Sequence, residues 1–191
     1  GNALYKELLS YFEVHCTYCQ QHGAFSENKV FYNFCVEEDS IFLLLNKIKP
    51  TIIISCINGE SKSQFSAHKE IVNYALLNTD CSILYISSAE VFDGKFAHPS
   101  YENDIPISQT EAGKLKISIE KLLLETIPLQ TTIVRLPMVL GINSPEVLHL
   151  RQCIRHKASF DVYPNLVITA TTVNKLHSKS ITPWNFSFSE Q

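Results

Sequence analysis

Two stretches of this sequence hold side chains whose types and spacing can do chemistry. HCTYCQQH, His15 to His22, supplies His15, Cys16, Cys19 and His22, the ligand types of a zinc site, with a CxxC pair of the redox kind. All four fall within eight residues, whereas closed tetrahedral sites take their ligand pairs from separate segments, so the stretch is read as a strand and its exit loop, without a metal. PISQTEAGKLK, Pro106 to Lys116, sets Thr110 four residues before Lys114. On a helix that spacing puts a hydroxyl beside an ammonium group on one face. An aliphatic hydroxyl is a much weaker acid than a phenol and has a far shorter reach, so Thr110 is a poor proton donor. Glu111, one helical step on, points about 100° away from it.

The elements that must position these groups alternate between helix and strand. Ala3 to Phe12 is predicted helical, with Leu4, Leu8, Leu9 and Tyr11 or Phe12 at helical spacing; Glu13 to Thr17 and Val30 to Val36 read as strands. Asp39 and Ser40 are placed to cap a helix Ile41 to Ile48 that stops before Pro50. Thr51 to Cys56 is a continuous β-branched run of the kind buried on both faces of a parallel sheet. A helix Gln64 to Leu77 follows, its inner stripe drawn through Phe65, Ile71, Ala75 and Leu76, and then a strand Cys81 to Ser87. A polar loop, Asp93 to Ser108, leads to a helix Gln109 to Glu125 and a strand Thr131 to Leu136. Pro145 to His156 reads as helix, Val162 to Thr172 is apolar without a clear period, and Ser178 to Gln191 is a polar, aromatic tail, loose or packed on another surface. This alternation predicts a parallel sheet with crossover helices, whose ligands bind outside the carboxyl ends of the strands.

Composition bounds the function. The chain has 191 residues, 45% of them hydrophobic, enough for one ordinary globular core. A formal net charge of -3 and no basic block argue against a nucleic-acid partner. No apolar run reaches the roughly 18 residues of a membrane span, and a soluble cytoplasmic protein is expected. The six cysteines are scattered, several inside strand-like runs (Cys35, Cys56, Cys81), and are read as reduced.

Four motifs in order resemble one family. KPTIIISC (Lys49 to Cys56), ILYISSAEVFDG (Ile83 to Gly94), PSYENDIPIS (Pro99 to Ser108) and TTIVRLPMVLG (Thr131 to Gly141) are similar to motifs of the extended short-chain dehydrogenases, in particular the dTDP-4-dehydrorhamnose reductases and related sugar-nucleotide epimerases. The resemblance covers roughly Gly1 to Leu176. It implies a Rossmann-like α/β domain over residues 1–146, with 147–191 the remnant of a substrate-binding region. It further implies NADP or NAD as cofactor and a sugar nucleotide with a 4-keto group as substrate. In such enzymes a hydroxyl in the place of Ser88 hydrogen-bonds the keto oxygen, the tyrosine of a YxxxK pair donates the proton, and the lysine, here Lys114, favours the phenolate and holds the cofactor ribose. Cys56, Ile57, Pro137 and Met138 would then also line the cofactor site.

Three departures qualify that inheritance. Thr110 stands where the tyrosine belongs. The start, GNALYKELL, looks like the last glycine of a GxxGxxG turn and the helix after it, so Gly1 is the one expected pyrophosphate contact. The first strand is expected to be missing, which marks the chain as a fragment or leaves another segment to fill a vacant central position. Cys35-Val36 and Ile57-Asn58 replace the usual adenine-flanking Asp and small Ala-Ala pair, and Ile57 narrows the pocket. The alternative to a reductase is a catalytically inactive homologue, binding a nucleotide, a sugar nucleotide or a protein partner as a regulatory subunit, or pairing with a second copy.

Overall fold

The computed structural model describes residues 2–19, 28–95, 99–142, 144–160 and 170–172. The chain divides into two compact units, Gly1–Leu136 and Pro137–Gln191. In the first unit the order is α1 (Asn2–Leu8), β1 (Cys16–Tyr18), β2 (Phe31–Asn33), α2 (Ile41–Ile48), β3 (Ile52–Ser55), α3 (Ser61–Leu77), β4 (Ser82–Ser88), α4 (Glu111–Thr126) and β5 (Thr131–Leu136).

All pairings are parallel, as crossover helices require. β1 pairs with β2, Cys16 opposite Phe31, while β3, β4 and β5 form a second sheet with Ile53 opposite Ile83 and Tyr85 opposite Ile133. The sequence led to the expectation of a parallel sheet whose central strand position is vacant. Among the described residues no strand lies between β1 and β3, so each keeps one edge without a ladder partner. Loops tie the two sheets instead: Glu60 donates its backbone N–H to Oε1 of Glu37 at 3.0 Å. Gly59, at φ 151°, lets the chain pass against Val36 and Glu37, where a Cβ would collide with both.

The core lies between α3, α4 and the three-stranded sheet. Ile71, Tyr74, Ala75, Ile83, Tyr85, Ile119 and Leu123 are all buried there. Leu76, expected on the inner stripe of α3, is 52% exposed. Ala75 and Ile71 sit on the inward face one turn apart, and the residue after Ala75 is turned about 100° away from it. The side chain of Gln130 closes the far end of the layer by donating to the carbonyls of Ala75, Asn78 and Cys81. The predicted cap of α2 is supplied differently from the expectation. Ser40 is the N-cap but makes no side-chain cap bond; Glu70 on α3 accepts from the Ser40 hydroxyl at 2.7 Å and from the Phe42 N–H at 2.9 Å. α1 stops at Leu8 rather than Phe12 and is followed by a turn in which the N–H groups of Tyr11 and Phe12 both donate to the Leu8 carbonyl.

The reading of all six cysteines as reduced is corrected. Cys19 and Cys35 form a disulfide with their Cα atoms 5.2 Å apart, leaving Cys16, Cys56, Cys81 and Cys153 free. They meet because parallel pairing of β1 with β2 brings the exits of both strands side by side, the Phe34 N–H donating to the Tyr18 carbonyl.

The second unit, described by itself, pairs β6 (Met138–Leu140) with β7 (Ala170–Thr172) and carries α5 (Pro145–His156), which ends on Lys157 in the left-handed region. The tail Ser178 to Gln191 and most of Val162 to Thr172 lie outside the described residues. No helix among the described residues is long and apolar enough to cross a membrane.

Gly113, in the first turn of α4, faces Ser108 and the Glu90 carbonyl. An added Cβ would lie 2.6 Å from the Ser108 Cβ and 2.9 Å from that carbonyl oxygen. Gly113→Ala is expected to lower stability by about 1–3 kcal/mol, read as a lower urea midpoint at unchanged slope. An unchanged midpoint would contradict this packing of α4.

Candidate active site

α4 presents one polar stripe to the sheet. Lys116 and Glu120 form it, four residues apart on one face, with the exposed Ala112 a turn before them. Glu120 is 3% exposed and fully engaged: its carboxylate accepts from the Ser87 hydroxyl on β4 and from a two-pronged Arg135 on β5, the Nη2 bond measuring 2.8 Å. Arg135 also donates to the Glu102 carbonyl at 2.9 Å and lies 4.9 Å from the Phe92 ring centroid, so one guanidinium fixes α4, β5 and the long loop together.

One turn earlier on the stripe, Lys116 reaches the carboxyl end of β4. Its Nζ donates to the Ile86 carbonyl at 3.3 Å and lies 5.2 Å from the Tyr85 ring centroid. Burial pulls the Lys116 ammonium below the usual lysine range, while Cys56 as thiolate and the Glu90 and Glu120 carboxylates act the other way. The Tyr85 hydroxyl beside it is buried with no partner among the described residues. Behind Tyr85, His68 donates from Nδ1 to the Gln64 carbonyl at 2.7 Å and accepts at Nε2 from the Ser55 hydroxyl at 2.8 Å. This is the neutral tautomer that burial demands, its pKa pulled down to about 4.

The residues named from sequence fall in different places. Ser88 closes β4 and caps the short 3-10 turn Ala89–Phe92, accepting from the Glu90 N–H at 3.2 Å; among the described residues no acceptor takes its own proton. Cys56 is an exposed thiol just past β3, one step beyond the Ser55–Tyr85 pair and so level with Ile86, whose carbonyl holds Lys116. Ile57 is half-buried against the core. Thr110 and Lys114 do not form the expected pair. Thr110 is the N-cap of α4, its Oγ1 accepting from the Gly113 N–H at 3.1 Å, and Lys114 turns outward, 54% exposed, to an ion pair with Glu111 at 2.9 Å. The reason is geometric: once Glu120 and Leu123 point inward, residues 116 and 112 follow them and residue 114 cannot. The spacing of Ile119, Glu120 and Leu123 carries that signal in the sequence.

Pro137 and Met138 open the second unit, Met138 in β6. Gly1 lies outside the described residues. Of the possible zinc ligands, Cys19 is committed to the disulfide, His15 sits beside Tyr32 and Glu13, and His22 lies outside the described residues.

No family model and no curated protein sequence matches this chain. Solved structures do. A hypothetical dTDP-4-dehydrorhamnose reductase from Sulfolobus tokodaii superposes with a TM-score of 0.71 at 20% identity, over 93% of this chain and 66% of that one. A UDP-glucuronic acid 4-epimerase from Bacillus cereus, solved with UDP-glucuronic acid and NAD, gives 0.71 at 14% identity, over 95% and 68%. A dTDP-4-dehydrorhamnose reductase from Bacillus anthracis, solved with NADP, gives 0.67 at 17% identity, over 88% and 70%. At these identities the likeness establishes the fold: a Rossmann-like α/β architecture of the kind found in sugar-nucleotide reductases and epimerases. The chain spans just under two thirds of the Sulfolobus structure.

Two outcomes check the buried polar layer. Glu120→Gln leaves Arg135 without its counter-charge, and an unfolding free energy lower by about 3 kcal/mol is expected in urea titrations. His68 is held neutral when folded, at about 4 against 6.5 in the unfolded chain, so the unfolded state binds the extra proton. Stability should therefore fall as pH drops from 6.5 towards 4, by up to about 1.4 kcal/mol per pH unit, and this slope should flatten in His68→Gln.

Proposed function

We propose that this chain binds NADPH or NADH together with a sugar nucleotide at the carboxyl ends of β3 and β4, as a divergent protein of the sugar-nucleotide reductase type. The observation that carries the reading is Lys116, held at the end of β4 by the Ile86 carbonyl with donor capacity to spare. An ammonium group and the hydroxyl proton of Ser88 on one strand end suit the hydroxyl oxygens of a ribose or the keto oxygen of a sugar. Lys116 thus takes the role that the resemblance assigns to Lys114. A bound nicotinamide would supply the hydride. A soluble, cytoplasmic setting fits this reading.

A second reading is favoured by Ala112. The residue four before the inward lysine is the exposed methyl of Ala112, which has no proton to give. On this reading the site is retained for binding alone, and the chain serves as a regulatory subunit of a protein partner or of a second copy.

Calorimetric titration with NADPH and NADH tests the first claim: micromolar binding is expected, weakened at least tenfold, about 1.4 kcal/mol, by Lys116→Ala and unchanged by Lys114→Ala. No binding to a folded sample would overturn it. Ala112→Tyr then separates the two readings. A gain in reduction of a 4-keto sugar nucleotide identifies a lost acid in an otherwise competent site; no gain, with the cofactor bound, supports the regulatory subunit.

A further inference from the structure

The Cys19–Cys35 disulfide touches more than the two strand exits it joins. The Cys35 N–H is held by Oδ2 of Asp39 at 2.7 Å, which shapes the turn of residues 36–38. The Cys35 sulfur lies 3.8 Å from Oε2 of Glu37, and Oε1 of the same carboxylate accepts the Glu60 N–H at 3.0 Å. Glu60 is the N-cap of α3. A cleft of about 300 Å³ opens between this turn and α3, bounded by Val36, Glu37, Ser40, Ser63, Ala67 and Glu70. One carboxylate thus links the disulfide sulfur to the first residues of α3 across the mouth of the cleft.

We propose that the Cys19–Cys35 disulfide is a reducible latch on this cleft, opened by a dithiol reductant. The reductant gives up two electrons and two protons: the Cys19–Cys35 S–S bond breaks, two protein thiols form, and the reductant closes its own disulfide. In the disulfide the Cys35 sulfur has no proton to donate, and Glu37 is left to the Glu60 N–H. In the dithiol, Cys35 gains an S–H facing Oε2 of Glu37, and the turn that carries Glu37 loses its covalent tie to the end of β1. The ends of β1 and β2 then lose their covalent tie and keep their ladder and the Phe34 N–H bond to the Tyr18 carbonyl. The turn loosens from α3 and the cleft widens. This stands whether or not a dinucleotide binds.

The test uses the full chain, oxidised and after dithiothreitol. Alkylation followed by mass measurement should count four reactive cysteines in the unfolded oxidised chain and six in the reduced one. Amide hydrogen exchange at Glu60 should be about tenfold faster in the reduced chain, with Ile83 in the core unchanged. Cys35→Ser should show the fast Glu60 exchange in both conditions; if it does not fold, the reduced wild-type chain gives the same reading. Six reactive cysteines before reduction, equal Glu60 exchange in both forms, or acceleration at Ile83 as well would each overturn the latch.

Discussion

The carboxylate of Glu120 lies in the layer between helix and sheet, and such a charge is tolerable only if every lone pair it presents is answered. Ser87 and the guanidinium fork of Arg135 answer them. Because the three partners come from β4, α4 and β5, the helix cannot rotate about its axis without breaking at least one charged hydrogen bond. The apolar side chains of Ile119 and Leu123 press on the same face. This interaction sets the register of α4, and the register decides which lysine reaches the strand ends, which residue stands a turn before it, and which lysine is left in water.

The functional consequence follows from that rotation. With Glu120 inward, Lys116 bonds to β4 and Ala112 lies a turn before it, while Thr110 is spent on capping and Lys114 on Glu111. The donor set at the strand ends is then an ammonium and a serine hydroxyl, with an exposed thiol at Cys56. Such a set can hold and polarise oxygen atoms. One turn before that lysine α4 carries Ala112, whose methyl group is no acid.

Much of the frame was legible in the sequence because local rules and burial agreed. α2 and α5 have the predicted bounds, one stopped ahead of Pro50 and the other started at Pro145. The β-branched run of β3 and the strand before Ser88 are parallel strands as read, but β3 buries Ile53 and Ser55 and leaves Ile52 exposed, so one face is covered rather than both. What failed needed partners distant in sequence. The pairing of Cys19 with Cys35 depends on β1 and β2 lying side by side, which no spacing rule reveals. The pattern TxxxK at Thr110 overlaps AxxxK at Ala112, and only the burial of Glu120 against Arg135 chooses between them. Leu76 was misplaced for a related reason, since a leucine beside two inward residues looks inward until the helix is seen against its sheet.

The most direct test of the account is to measure which lysine is withdrawn from water. Lysines converted to their ¹³C-dimethyl form can be titrated individually by NMR, with Lys114→Arg and Lys116→Arg variants assigning the two resonances. Lys116 is expected to titrate below the usual lysine range, because burial at the end of β4 disfavours its charge. A depressed resonance that vanishes in Lys114→Arg, or none that vanishes in Lys116→Arg, would mean that α4 is rotated from the register on which the proposed site depends.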